Sequence, residues 1–342
     1  MAQKVLLTGI SGFIGGHIAL QLFQRGYHVV GAVRDEEDIG FVRGYLRPHI
    51  DGSELAEKLT FVVADLLKRD DWRAAMEGCH AVIHTASPIP NIMPNDEDLI
   101  IRPAVDGTRN VLRAASSAGI SRVVMTSSIT AISEGHRLSE PRVFTEDDWS
   151  DLNAGPLTAY AKSKTLAERA AWEIANTPEC PFTLTTMHPG VTLGPVLNGR
   201  TSTSVASVWR LMSRLDPLLP NFGFPYVDVR DVARLHVDAL ETEAANGQRI
   251  ALTNGFVWYP DLAAKVSKER PDLNIVSRRA FSWFLRLLAP FKTRLKLITP
   301  NLDRHADVSN ANAKAIFSTD FVPFEQTLAD TIESLEMHNA KK

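Results

Sequence analysis

Two side chains that could handle a proton together, Tyr160 and Lys164, stand four residues apart in the chain. They fall in a run from Ala159 to Ala175 that predicts one long helix, and residues four apart share a helix face. A nearby ammonium favours the ionised form of a phenol, so we expect Lys164 to lower the pKa of Tyr160. A tyrosine of this kind can donate a proton to a reacting oxygen near neutral pH. The alternative is a surface pair on an amphipathic helix, because the spacing alone is common.

A glycine-rich turn near the N-terminus could hold a dinucleotide. Gly9 and Gly12 lie between the apolar run 5–7 and a helical pattern over 13–25, and Gly15 falls at the start of that pattern. In such a turn the first glycine allows a tight bend, the second lets the backbone approach a pyrophosphate, and the third lets helix and strand pack closely. The helix start then offers N–H groups to the phosphates. A plain strand-to-helix turn is the alternative.

The residue after the second predicted strand, 29–33, bears on the choice of cofactor. It is Arg34, at the place where an acid commonly holds the ribose 2′-hydroxyl of NAD. A guanidinium attracts a 2′-phosphate and can bind it with two hydrogen bonds, so Arg34 favours NADP. Asp35 follows directly and could be the ribose ligand instead, with Arg34 a bystander. Arg43 is a candidate for a second phosphate contact.

The third predicted strand, 59–64, ends at Asp65 and Leu66. A carboxylate at this place could accept a hydrogen bond from an adenine amino group. It could also cap a helix over 68–76, and the two interpretations stay open.

Two more predicted strands, 81–84 and 122–125, end in small or hydroxyl-bearing residues. Hydroxyls at the carboxyl end of a central strand lie where open α/β sheets bind ligands, and small side chains permit close approach. We interpret His84 as a packed strand residue. The residues concerned are Thr85, Ala86, Ser87 and Pro88 after the first strand, and Thr126, Ser127 and Ser128 after the second.

The alternation of predicted strands and helices is typical of an α/β fold with a doubly wound parallel (Rossmann) sheet. We expect residues 1–195 to form the dinucleotide-binding domain. Residues 196–342 should form mainly a smaller α/β substrate lobe, with the segment 226–252 returning to the Rossmann core. Other elements are predicted as helices over 99–118, 205–215, 229–240, 260–268, 280–288, 311–317 and 324–337, and as strands over 182–187 and 248–252.

Composition excludes several classes of protein. A net charge of −3 over 342 residues gives no reason to expect nucleic acid or an anionic membrane as a partner. Cys79 and Cys180 form neither a metal spacing nor a disulfide framework, so we expect no metal and a reducing, cytoplasmic setting. The N-terminus lacks a signal-peptide pattern, and no apolar run reaches the length of about 18 residues that a membrane span needs. The basic, amphipathic stretch 281–298 could at most lie on a membrane surface.

Taken in order, these motifs resemble the extended short-chain dehydrogenase/reductases, and within them the dihydroflavonol 4-reductase-like carbonyl reductases. The resemblance extends from residue 4 to about residue 240, and the C-terminal hundred residues match loosely. The residues that carry it are Thr8 to Gly15, Ala32 to Arg34, Ala64 to Leu66, His84 to Pro88, Thr126 to Ser128, Tyr160 to Lys164 and Tyr226 to Asp231.

The resemblance implies NADPH as cofactor and a small hydrophobic ketone or aldehyde as substrate, in a monomer or homodimer. Ser128 would hydrogen-bond the carbonyl, Tyr160 would donate the proton, and Lys164 would bind the nicotinamide ribose and lower the tyrosine pKa. Arg34 would hold the 2′-phosphate. The expected cofactor contacts are Gly9, Ser11, Gly12, Phe13, Ile14, Gly15, Arg34, Asp65, Leu66, Thr85, Ala86, Ser87, Thr126, Tyr160, Lys164, Pro189, Gly190, Val191 and Ser204.

One departure argues against a dihydroflavonol substrate, because Ser133 stands where the plant flavonoid reductases have an asparagine that reads the ring. Aromatic residues of the second half suit a hydrophobic substrate, although each is expected in the core. Three alternatives remain: an NAD-dependent nucleotide-sugar epimerase or dehydratase, a hydroxysteroid dehydrogenase-type enzyme, and a non-catalytic NADP-binding regulator. Arg34 argues against the first, and the intact Tyr160–Lys164 pair argues against the last.

Overall fold

The computed structural model describes residues 3–87, 96–136, 138, 140–153, 157–200 and 202–339. Strands and helices alternate through the first half of the chain, as the sequence predicts. In chain order they are β1 (Lys4–Thr8), α1 (Phe13–Gln24), β2 (His28–Val33), α2 (Glu37–Leu46), α3 (Gly52–Lys58), β3 (Leu59–Val63), α4 (Asp71–Ala75), β4 (Ala81–His84), α5 (Asp98–Ser117), β5 (Arg122–Thr126), β6 (Arg142–Phe144), α6 (Ala159–Ala175) and β7 (Thr183–Pro189).

The second half contributes shorter strands and more helices. They are β8 (Val191–Leu193), α7 (Thr203–Met212), β9 (Gly223–Asp228), α8 (Val229–Glu241), β10 (Arg249–Leu252), β11 (Phe256–Trp258), α9 (Tyr259–Glu269), α10 (Ser282–Leu288), α11 (Thr293–Ile298), β12 (Ala306–Val308), α12 (Ala311–Phe317) and α13 (Phe324–Asn339).

The central sheet has seven strands in the order β10-β7-β5-β4-β1-β2-β3, and every pairing in it is parallel. The doubly wound fold expected from the sequence is therefore confirmed. The strand order changes direction between β1 and β4, which is the switch point at which such sheets bind ligands beyond the carboxyl ends of their strands. Thr8 pairs with His84 in the last register position of these two strands, so their exits lie side by side.

Alternation along β1 explains why both faces of the sheet are covered. Val5 and Leu7 belong to one core cluster and Leu6 to the other, because successive strand residues point to opposite faces. Helices α1 and α8 pack together on the first face, and α5 packs along α6 on the second. Each buried leucine or valine contributes roughly 1.5–3 kcal/mol. The two cores hold the sheet's carboxyl edge, and the loops along it, in place.

Two small sheets complete the fold. Strand β9 pairs in parallel with β8 and antiparallel with β11, and β12 pairs in parallel with β6. Within the described ranges, no helix is long and apolar enough to cross a bilayer.

Several element boundaries differ from the sequence predictions. The helix expected over 68–76 begins only at Asp71, since the preceding residues form a turn held by Asp65 and Asp71. The helix expected over 205–215 ends at Met212, and Arg214 adopts a left-handed backbone with φ of 52°. The three-residue strands were not predicted, because their partners are distant in the sequence and their local pattern is weak.

Candidate active site

Ser128 and Tyr160 meet at the carboxyl edge of the sheet. Ser128 lies two residues beyond β5, and its Oγ accepts a hydrogen bond from the backbone N–H of Thr130 at 3.2 Å. Tyr160 lies in the first turn of α6, whose start is fixed by Thr158, because its Oγ1 caps the N–H of Ala161 at 3.1 Å. The Ser128 hydroxyl lies close enough to the Tyr160 phenol to lower its pKa. A strand end and a helix start thus place two hydroxyl groups at one point.

Lys164 lies one helical turn beyond Tyr160, with only 6% of its surface exposed. Its Nζ donates a hydrogen bond to the carbonyl oxygen of Thr126 at 3.5 Å. The Thr126 hydroxyl is itself bonded to His236 Nε2 at 2.8 Å, and His236 Nδ1 lies 2.7 Å from the Val232 carbonyl oxygen. The lysine head is therefore tied to the end of β5, on which Ser128 also depends.

The prediction that Lys164 lowers the pKa of Tyr160 is wrong for this structure. Burial raises the pKa of the Tyr160 phenol, and the nearby Ser128 side chain only partly opposes that effect. Burial also lowers the pKa of Lys164 to about 8, although the nearby Glu168 carboxylate favours the charged amine. Desolvation disfavours the charged form of both groups, and the spacing in the sequence carries no information on burial.

Glu168, which sequence analysis did not single out, connects α6 to the residues that follow β5. It is fully buried on the same helix face, one turn beyond Lys164. Burial alone would raise its pKa, but His188 and Arg249 outweigh burial and lower the pKa well below the usual range. Its two oxygens accept hydrogen bonds from Ser127 at 2.7 Å, Arg249 Nε at 2.8 Å, Thr186 at 3.1 Å and Trp172 Nε1 at 3.3 Å, and Oε2 lies 2.8 Å from His188 Nε2.

The glycine turn packs tightly against the exit of β4. Gly9 has φ of +73°, and a Cβ there would lie 2.6 Å from Thr85 Oγ1. Thr8 Oγ1 accepts the backbone N–H groups of Thr85 and Ala86, both at 3.1 Å. His84 is buried and bonded through Nδ1 to Thr8 Oγ1 at 2.8 Å, as expected of a packed residue. The turn and the β4 exit therefore form one rigid rim.

The start of α1 has the features of an anion site. Gly12 is the N-cap residue and is exposed. No side chain among the described residues caps the N–H groups of the first turn. Uncapped N–H groups at a helix start suit phosphate oxygens. At Gly15 a Cβ would lie 2.1 Å from the Gly9 carbonyl oxygen, so the turn can close onto the helix only with glycine there. These features fit a pyrophosphate. Ser11, Phe13 and Ile14 occupy the remaining positions of the turn.

The end of β2 opens into a cavity of about 980 Å³ lined by Arg34 and Arg200, four consecutive acids (35–38) and Val63. Arg34 is 79% exposed and its Nε lies 3.2 Å from Asp35 Oδ2. Arg43, expected as a second phosphate contact, instead stands 5.6 Å from the centre of the Phe61 ring and does not line this cavity. The second basic residue of the cavity is Arg200, which sequence analysis missed because it comes from the other half of the chain.

The remaining expected contacts border the same edge. Asp65 Oδ1 accepts the N–H of Leu67 at 2.9 Å, so this carboxylate shapes a turn, and the Leu66 carbonyl accepts from Asn110 at 2.9 Å. Ser87 ends the described stretch after β4, and Pro88 lies outside the described residues. Pro189 ends β7, Gly190 precedes β8, Val191 begins β8, and Ser204 lies in the first turn of α7.

Several aromatic residues of the second half lie in or against the core, as expected, and others are exposed. Ser133 is buried, and its hydroxyl donates to the Ile129 carbonyl at 3.3 Å. Phe224 is buried, whereas Trp283 is 65% exposed. Phe222, Tyr226 and Trp209 pack against the core of the second half. Among the described residues, no group of three or more His, Cys, Asp or Glu side chains is placed to hold a metal ion.

Comparison with known proteins identifies the family. Residues 5–252 match the model of the NAD dependent epimerase/dehydratase family, and the chain belongs to that family. Cinnamoyl-CoA reductase CAD2 of Medicago truncatula is 32% identical over 98% of this chain and 96% of that protein. The resemblance to extended short-chain dehydrogenase/reductases is thereby confirmed.

Two solved structures are also similar to this chain. Gre2 from Candida albicans, in complex with NADPH, has a TM-score of 0.81 at 27% identity and covers 99% of this chain and 100% of its own. Vestitone reductase from alfalfa (Medicago sativa L.) has a TM-score of 0.76 at 25% identity, covering 98% of this chain and 99% of its own.

Proposed function

We propose that this protein is an NADPH-dependent carbonyl reductase that converts a ketone or aldehyde to the alcohol. The observation that carries the proposal is that Ser128 after β5 and Tyr160 and Lys164 on α6 come together at the sheet edge that also bears the glycine turn. Relatives named for reduction of cinnamoyl-CoA and vestitone, and a similar structure holding NADPH, support the same reaction class.

Bound NADPH supplies the hydride that goes to the carbonyl carbon. As negative charge grows on the carbonyl oxygen, Ser128 and Tyr160 stabilise it with hydrogen bonds, and Tyr160 then transfers its proton to that oxygen. The raised pKa of Tyr160 keeps the phenol protonated, which is the form that a donor needs at the start of reduction. Lys164, still charged at neutral pH, would hold the cofactor ribose.

The glycine turn and the uncapped start of α1 would hold the pyrophosphate, and Arg34 would hold the 2′-phosphate. In this assignment residues 1–195 hold most of the dinucleotide, and 196–342 mainly hold the substrate. A small hydrophobic carbonyl compound is the proposed substrate class. Because the Ser133 hydroxyl is buried and bonded to the backbone, a flavonoid ring would have to be recognised by other groups.

The test is oxidation of NADPH by the purified protein against aryl ketones, β-keto esters, aldehydes and dihydroflavonols, with NADH in parallel. We expect turnover of at least one apolar carbonyl class with NADPH, and its loss in Tyr160→Phe. A protein that purifies with tightly bound NAD and turns over none of these compounds, but acts on a nucleotide sugar, would overturn the proposal. Activity that survives Tyr160→Phe would remove Tyr160 as proton donor.

A further inference from the structure

A loop from the second half of the chain reaches over the dinucleotide edge. It connects β8 to α7, and Asn198 Nδ2 in this loop donates a hydrogen bond to the Ser11 carbonyl in the glycine turn at 3.3 Å. Asn198 Oδ1 accepts the backbone N–H of Arg200 at 3.0 Å, and Gly199 between them has φ of +68°. Asn198 thus attaches the loop to the glycine turn and also fixes the backbone turn that ends at Arg200.

The Arg200 guanidinium is held on two sides by α2. Its Nη2 lies 2.8 Å from Asp38 Oδ1, and its central carbon lies 3.8 Å from the centre of the Phe41 ring. An aromatic face fixes the plane of a guanidinium, and a single carboxylate occupies only part of its five-donor fork. The side chain remains 53% exposed, so donors remain available toward the cavity it shares with Arg34.

The charges of this cavity call for a second cation. Among the described residues that line it are four carboxylates, at positions 35–38, and two guanidiniums, Arg34 and Arg200. A 2′-phosphate brings further negative charge, and Arg34 is already paired with Asp35. Like charges at close range repel, so one exposed arginine is a poor basis for selecting a phosphate over a hydroxyl here. Arg43 does not help, since it stands over Phe61.

We propose that Arg200 is a second ligand of the cofactor 2′-phosphate, closing on it from the opposite side to Arg34, with Phe41 and Asp38 as positioning residues. The inference rests on the proposed use of NADPH. It makes preference for NADPH a joint property of both halves of the chain. Arg200 lies two residues before Ser202, the N-cap of α7, so cofactor binding and the position of that helix would be linked.

The experiment uses ligands that cannot undergo redox chemistry. Binding of 2′,5′-ADP and of 5′-AMP to the full chain is measured by calorimetry for wild type, Arg200→Ala, Arg200→Lys and Arg34→Ala, with Arg43→Ala as the matched control. We expect Arg200→Ala to weaken 2′,5′-ADP binding by about 10- to 100-fold, the value of a hydrogen bond to a charged group, and 5′-AMP binding by less than about twofold. Arg200→Lys should give an intermediate loss, and Arg43→Ala should bind like wild type.

If Arg200→Ala weakens the binding of both nucleotides equally, the loop only covers the site and does not bind the 2′-phosphate, and the proposal is overturned. No effect on the binding of either nucleotide would overturn it as well. Circular dichroism of each variant identifies any that fails to fold, and in that case Arg200→Lys decides the question. The carbonyl-reductase assignment fails by a different result. If wild type selects 2′,5′-ADP but reduces no carbonyl compound, the phosphate site stands and the reaction does not.

Discussion

The hydroxyl of Ser127 donates a hydrogen bond of 2.7 Å to Glu168 Oε2. This bond joins the residue next to Ser128 to the helix that carries Tyr160 and Lys164. The carboxylate is fully buried, and Arg249 and His188 hold it from the other side. The relative position of the two candidate catalytic hydroxyls therefore depends on a group that need not touch substrate itself.

Removing this anchor should destabilise the fold. Glu168→Ala leaves the largely buried Arg249 guanidinium without its 2.8 Å partner, and breaking a buried ion pair on one side costs about 3–5 kcal/mol. Thermal or urea unfolding would measure the loss. Glu173→Ala, on the same helix but with a 68% exposed side chain, is the control and should change stability by less than about 0.5 kcal/mol. Equal stability of both variants would contradict the role of Glu168.

The phenol of Tyr160 should be needed for chemistry and dispensable for cofactor binding. Tyr160→Phe should lower kcat by about 10²–10⁴-fold, the usual contribution of a positioned acid. Ser128→Ala should cost about 10²–10³-fold, as does loss of one oxyanion donor. NADPH binding, followed by fluorescence titration, should stay within about threefold of wild type in both, since a larger change would mean that these hydroxyls support the cofactor instead.

The pH profile of reduction should reflect Lys164. With a pKa of about 8 the amine is charged at neutral pH, so kcat/KM should fall as pH rises through about 8. The same shift has a consequence for stability. The unfolded chain, with a lysine pKa near 10.5, binds more protons than the folded chain between about pH 8 and 10.5, so this group makes unfolding more difficult as pH rises through that window.

Lys164→Met offers an independent check of this burial cost. Replacing a buried charge by an apolar side chain of similar length should raise the free energy of unfolding at pH 7 by about 1–3 kcal/mol, while activity is lost. A variant that is inactive and less stable than wild type would show that the ammonium contributes more by its bond to Thr126 than it costs by desolvation.

Two glycine substitutions should behave in opposite ways. Gly9→Ala places a Cβ 2.6 Å from Thr85 Oγ1 on a backbone with φ of +73°, so it should lower stability and weaken NADPH binding at least about tenfold. Gly40→Ala, in α2 with open space around its Cβ, should stabilise the protein by about 0.5–1 kcal/mol without affecting binding. Unfolding midpoints and NADPH titration distinguish the two, and similar behaviour of both variants would argue against a rigid turn.

Local spacing predicted much of the candidate site. The glycine turn, the pair Tyr160 and Lys164, and the hydroxyls after β5 are each recognisable within a few neighbouring residues. Glu168 also had a signal, because it follows Lys164 at the same four-residue spacing, but only the fold shows that Ser127 and Arg249 converge on it.

Other features could not be predicted because they depend on distant contacts or on burial. Arg200 pairs with Asp38 across 162 positions of sequence, and no local pattern marks that meeting. The direction of the Tyr160 pKa follows from solvent exclusion around a folded side chain. The strands β6 and β12 are three residues long and pair with each other across nearly half the chain.

The outermost strand beside β7 is β10, which the chain reaches only after passing through β8, α7, β9 and α8. A fragment that stops at residue 195 would thus expose the backbone N–H and C=O groups of β7 as an unpaired edge strand, and such edges pair with strands of other molecules. The nucleotide half cannot be cut out as an autonomous module or exchanged for that of a relative by a single crossover. Any graft between such enzymes has to carry residues 249–252 along with the first 195.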